Sequence, residues 1–132
     1  MQAFKSIVLA TLIFIFGCAG ISQKSRIDQF ESMSEEYSQA LRRSEFKTAF
    51  QFLDPAIRES HMEDTRYSKV RVVQHLAKHI KISPDAKEIR EDVELQYYFI
   101  DRNVLHTSNY QELWRYSETN HVWLLQTALP IF

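Results

Sequence analysis

The sequence predicts an α+β domain in which N-terminal helices pack on a curved antiparallel sheet. Three observations predict it. Apolar residues return at helical spacing from Ile27 to Leu41, and apolar and polar residues alternate strictly from Asp92 to Phe99. The helical patterns all come first and the strand patterns follow, which is the order of an α+β chain.

Ile27, Phe30, Met33, Tyr37, Ala40 and Leu41 share one face, with charged residues between them, so an amphipathic helix ends near Arg43. Ser44 is placed to N-cap a second, shorter helix carrying Phe46, Ala49, Phe50 and Leu53. Asp54-Pro55 reads as a cap and first-turn proline opening a third helical piece to about His61. Val70 to Ile82 fits two patterns. As a strand it aligns Val70, Val72, Leu76, Ile80 and Ile82, interrupted by Gln74 and Lys78. As a helix it gathers Val70, Val72, Val73, Leu76, Ala77 and Ile80. Its β-branched content and the following Ser83-Pro84-Asp85 turn point to strand. Val93, Leu95, Tyr97 and Phe99 form one face of a clear strand. Tyr110, Trp114 and Tyr116 form one face of the next, and Asn120-His121 turns into a last strand from Val122 to Ala128. Leu129-Pro130 ends it, because proline cannot donate to a ladder.

Ahead of these elements, Lys5, an apolar run from Ile7 to Phe16 and the small residue Gly17 have the layout of a signal peptide. This ten-residue run falls short of the roughly 20 residues needed to span a bilayer. Ile15-Phe16-Gly17-Cys18 resembles the cleavage box of bacterial lipoproteins, which implies removal of residues 1–17 and lipidation of Cys18. Lipidation also gives the chain's only cysteine a role. Residues 18–25 then hold the lipid and a tether, whose seven residues from Ala19 reach at most about 25 Å. Residues 26–132 form one domain. Ala19 after the cysteine, in place of the inner-membrane retention Asp, favours the outer membrane, facing the periplasm.

Without the leader's Lys5, fifteen basic residues face seventeen acidic ones, and the signs are interspersed. There is no basic stripe for nucleic acid. No cysteine remains for an internal disulfide, so burial alone holds the fold. The only glycines are Gly17 and Gly20, which excludes glycine-rich nucleotide cradles. No cofactor is expected.

Phe46, Phe50, Leu53 and Pro55, followed by Trp114, Trp123-Leu124-Leu125 and Leu129-Pro130-Ile131-Phe132, resemble a small lipoprotein of the nuclear transport factor 2-like (cystatin-like, cone-shaped) superfamily. The resemblance covers roughly residues 26–132 and tips Val70–Ile82 toward strand. It implies a long helix cradled by a bent sheet with a cavity between, and a function that is catalytic in some members and pure binding in others.

Tyr97, Tyr110, Trp114 and Tyr116 are the candidate ligand-pocket residues. An isomerase-like site needs a carboxylate in that cavity. The expected inner face of Val93, Leu95, Tyr97 and Phe99 offers none, and Asp101 is the acid nearest the strand end. No catalytic residue is therefore assigned. His75 and His79 lie four apart without a third ligand, on a face shared with Arg71 and Lys81, so a solvated face is expected and no metal. The expectation is a non-catalytic, lipid-anchored domain binding an envelope protein or a small apolar ligand, with a homodimer possible through its aromatics. The alternative is a cone-cavity isomerase- or lyase-like enzyme.

Overall fold

A computed structural model describes residues 15–62, 65–129 and 132. Helix α1 spans Ile15–Arg42, and the apolar repeat read from the sequence is its packed face. Phe30, Tyr37, Ala40 and Leu41 are buried, while Glu31, Glu35, Glu36 and Gln39 are exposed. Residues 19–25, read from the sequence as a tether, are helical. No proline interrupts this stretch, and Gly20 costs only about 1 kcal/mol. Extending a helix from a packed nucleus is cheap per residue. At 1.5 Å per residue the same seven positions advance only about 10 Å. Residues 1–14 of the leader lie outside the described residues. Among the described residues, no helix is long and apolar enough to cross a membrane.

Helix α1 ends in a left-handed residue, Ser44, with φ 57°. Ser44 N–H reaches Leu41 O at 2.8 Å and Glu45 N–H reaches Ala40 O at 2.9 Å, the paired bonds of a Schellman ending. That geometry overturns Ser44 as an N-cap, which needs extended backbone. The next helix is preceded by Glu45 without a side-chain cap. The Ser44 hydroxyl instead accepts the Val72 N–H at 2.9 Å, tying helix to sheet.

Helix α2, Phe46–Ala49, runs into a 3-10 turn over Phe50–Phe52. Helix α3 is Pro55–Met62. Its cap is the expected one, with Asp54 Oδ1 accepting the Ala56 N–H at 3.0 Å. Asp54→Ala is expected to cost about 1 kcal/mol in urea unfolding, with far-ultraviolet dichroism retained. An unchanged midpoint would show that the cap bond contributes nothing.

Strands β1 (Val70–Ile82), β2 (Glu88–Phe99), β3 (Arg102–Ser117) and β4 (Val122–Leu125) form a curled antiparallel meander in that order. The class is α+β, as the sequence predicts. Val70–Ile82 is a strand, and shifts in its pairing between Val72/Gln74 and Lys78/Lys81 explain why neither simple periodicity fitted it. β4 is shorter than expected and stops at Leu125, after which Gln126 N–H reaches Leu113 O at 2.7 Å. With no glycine past residue 20, Ser44, His79, Ala86 and His121 carry the positive φ angles. Left-handed backbone costs such residues on the order of 1 kcal/mol or more each.

The sheet curls around α1. Phe30 packs edge-on against Trp114 and Trp123, at 5.7 and 5.4 Å between ring centroids. Leu41, Leu53, Ile89, Leu95, Trp114, Trp123 and Leu125 are fully or almost fully buried. Arg26, inside α1, ties the helix to the β1–β2 turn, donating from Nη2 to Asp85 O at 2.8 Å. Its own carbonyl accepts the Trp123 indole N–H, also at 2.8 Å.

Candidate functional site

Successive side chains on a strand point to opposite faces. Tyr110, Glu112, Trp114 and Tyr116 therefore share the inward face of β3, and Ile89, Glu91, Val93 and Leu95 that of β2. The register pairs Glu91 directly with Glu112. Two carboxylates thus sit side by side against the helix, with the residues only 3% and 1% exposed. The irregularity after Val72 turns His75 inward opposite Leu95, and α1 presents Ser38 above it.

These residues form a hydrogen-bonded chain. His75 Nε2 lies 2.8 Å from Glu112 Oε1, and the Tyr110 hydroxyl donates to the same oxygen at 3.0 Å. His75 Nδ1 lies 3.0 Å from Ser38 Oγ, which accepts from Arg42 Nη1 at 3.1 Å. Arg42 Nη2 also pairs with Glu35 at 2.8 Å. Nε2–H donates to the carboxylate, and the Ser38 hydroxyl donates to the His75 carbonyl at 3.4 Å. The Tyr37 ring stands edge-on to the imidazole at 5.5 Å. Burial, then the Glu112 charge, pushes both the Tyr37 and the Tyr110 hydroxyl well above the usual tyrosine range.

Two oxygens are left over. Glu112 Oε2 is buried without a partner among the described residues. Glu91 has neither a hydrogen bond nor an ion pair among them, and it opens onto a cleft of about 290 Å³ between α1 and the sheet. Phe30, Ala77 and Ile80 supply apolar wall, and Ser34, Ser38, His75 and Glu112 the polar floor. Burial pushes the Glu91 carboxyl up to about 7, aided by the Glu112 charge and opposed by His75. A larger cleft of about 680 Å³ has Phe46, Phe50, His61 and Tyr67 in its walls, and its one carboxylate among the described residues, Glu45, is exposed.

The four aromatics expected to line one pocket do not converge. Tyr110 joins the site through its hydroxyl. Trp114 is buried core, 5.5 Å from the Tyr37 ring. Tyr116 lies beside Trp123, under the Arg26 guanidinium at 5.6 Å. Tyr97 packs with Phe99, His106 and Phe132 toward the β2–β3 turn, where Asp101 is exposed.

His75 is not on a solvated face, and the irregular register separates it from His79. The His79 side chain is 75% exposed, 3.3 Å from Asp92. No group of three metal-ligating residues occurs among the described residues. Strand parity places Glu112 on the face of Tyr110 and Trp114, and Glu91 on that of Val93, but parity alone marks neither as buried. Nothing in the sequence marks Ser38.

A serine, a histidine and a glutamate in line suggest nucleophilic catalysis, but Ser38 lies inside α1. The backbone N–H groups around it are committed to the helix ladder, and none is free to hold an oxyanion. The chemistry this site supports is hydrogen bonding, ion pairing and proton exchange at Glu91. No family model matches the chain, and neither a curated protein nor a solved structure does.

Proposed function

We propose that this chain is a lipid-anchored domain of the bacterial envelope, of the nuclear transport factor 2-like cone type, that binds a small ligand between its long helix and its sheet. The carrying observation is Glu91, a buried carboxylate open to the cleft without a partner among the described residues. Such a group is costly unless something pairs with it. The α+β order with a curled antiparallel meander is compatible with the cone. The anchor rests on Ile15–Cys18, and Ala19 favours the outer membrane facing the periplasm.

Wild type is expected to take up labelled palmitate and fractionate with membranes, and Cys18→Ala to do neither. Unlabelled wild type, with the variant still in the membrane fraction, would sink the anchor. Native mass spectrometry of the full chain, eluted gently from membranes, is expected to show a small retained mass. An empty chain would turn the search to an envelope protein or a second copy as partner.

A second reading, an isomerase- or lyase-like enzyme, is favoured by Glu91 titrating near neutrality about one strand away from a tyrosine hydroxyl bound to Glu112. A general base is most effective when its pKa lies near the working pH. Conversion of the retained molecule by the chain distinguishes this reading from binding alone.

A further inference from the structure

We propose that the cleft takes a primary ammonium group carried on a small apolar body, an inference that rests on reading the cleft as a ligand site. It begins with the register. Directly opposed residues on neighbouring antiparallel strands have Cβ atoms about 5 Å apart, and like charges there repel. Glu91 and Glu112 are such a pair, on the buried face.

The hydrogen-bond donors nearby are already committed. Arg42 from α1 serves Glu35 and Ser38, and His75 from β1 serves Glu112. Glu31 and Glu35 of α1 add negative charge at the mouth. From β3, Tyr110 also spends its proton on Glu112 Oε1. The Glu91 carboxyl and Glu112 Oε2 remain without a donor among the described residues, on two paired residues that both line the cleft.

An ammonium is a compact charge with three donors, suited to acceptors that approach from two strands. A guanidinium fork instead matches a single carboxylate edge. The walls at Phe30, Ala77 and Ile80 and the volume of about 290 Å³ set an apolar body near the lower end of small-molecule pockets. Because a proton on Glu91 occupies the same place, proton and ammonium compete.

The test is saturation-transfer NMR on the full chain in phosphatidylcholine nanodiscs, with benzylamine, benzyl alcohol and benzoate as probes. Benzylamine keeps its charge from pH 6 to 8. It is expected to bind about tenfold more tightly at pH 8 than at pH 6, because protonation of Glu91 near 7 blocks the site. At pH 8 benzyl alcohol is expected to bind at least tenfold more weakly, and benzoate not at all. Glu91→Gln, which keeps the shape, is expected to remove both the pH dependence and the preference for the amine. Wild type alone decides the matter if that variant fails to fold. Equal binding of amine and alcohol to wild type, displaced by neither pH nor charge, would overturn the ammonium and leave the ligand cleft standing. Binding of none of the three to folded wild type would overturn both.

Discussion

Replacing His75 by leucine is expected to lower folding stability by about 3–5 kcal/mol, the cost of leaving the buried Glu112 carboxylate without its imidazole donor. The imidazole side chain is 4% exposed and that of Glu112 is 1% exposed. Without Nε2–H, Glu112 keeps only the Tyr110 hydroxyl as a donor, with its second oxygen already unpaired. Ser38 Oγ loses its Nδ1 contact as well. The double variant His75→Leu/Glu112→Leu is expected to recover most of the loss, because apolar groups of similar volume often replace a buried hydrogen-bonded pair at little cost. Urea unfolding reads the difference through the fluorescence of buried Trp114 and Trp123. A single variant within about 1 kcal/mol of wild type would mean that the pair carries no desolvated charge. A double variant no better than the single one would assign the loss to packing instead.

The same pair marks the boundary of what could be read from the chain. The buried stripe of α1, the alternation of β2, the Asp54 cap and the Ser83 turn follow from local chemistry, and each appears where that chemistry puts it. The site does not, because its members meet only through pairing. His75 reaches both Ser38 and Glu112 across 37 positions of sequence. It faces inward only because the β1 register shifts after Val72. That shift adjoins the Val72 N–H bonded to the Ser44 hydroxyl, a contact no periodicity encodes. Glutamate is seldom fully buried unless paired, so Glu112 between Tyr110 and Trp114 reads as a solvated interruption until His75 is in place. The N-terminal extent of α1 was hidden for a different reason. Residues 19–25 are neither strongly helical nor helix-breaking, and their state follows from the packed helix beyond them.

Glu91→Gln is expected to stabilise the chain by about 3 kcal/mol at pH 8 and by almost nothing at pH 4. The native carboxyl titrates at about 7, above its ordinary value of 4.5. The native state therefore holds a proton between those values that the unfolded chain has released. Wild type has the full benefit of that proton below pH 4.5, loses it as the pH rises, and lacks it above 7. The interval of 2.5 units corresponds to about 3 kcal/mol. Glutamine has no such titration, so the difference between the two chains isolates Glu91. Exposed Glu35, Asp85 and Glu118, held below their ordinary values by hydrogen bonds and charges nearby, act in the opposite sense but occur in both chains and cancel. Paired unfolding curves at pH 4, 6 and 8 measure it, and a difference that does not change with pH would remove Glu91 from the site as a titrating group. The expected slope also bears on function. A carboxylate that destabilises the empty fold above neutrality is one that a bound cation stabilises most under the same conditions, so the pH at which Glu91→Gln gains most stability should be the pH at which wild type gains most from benzylamine.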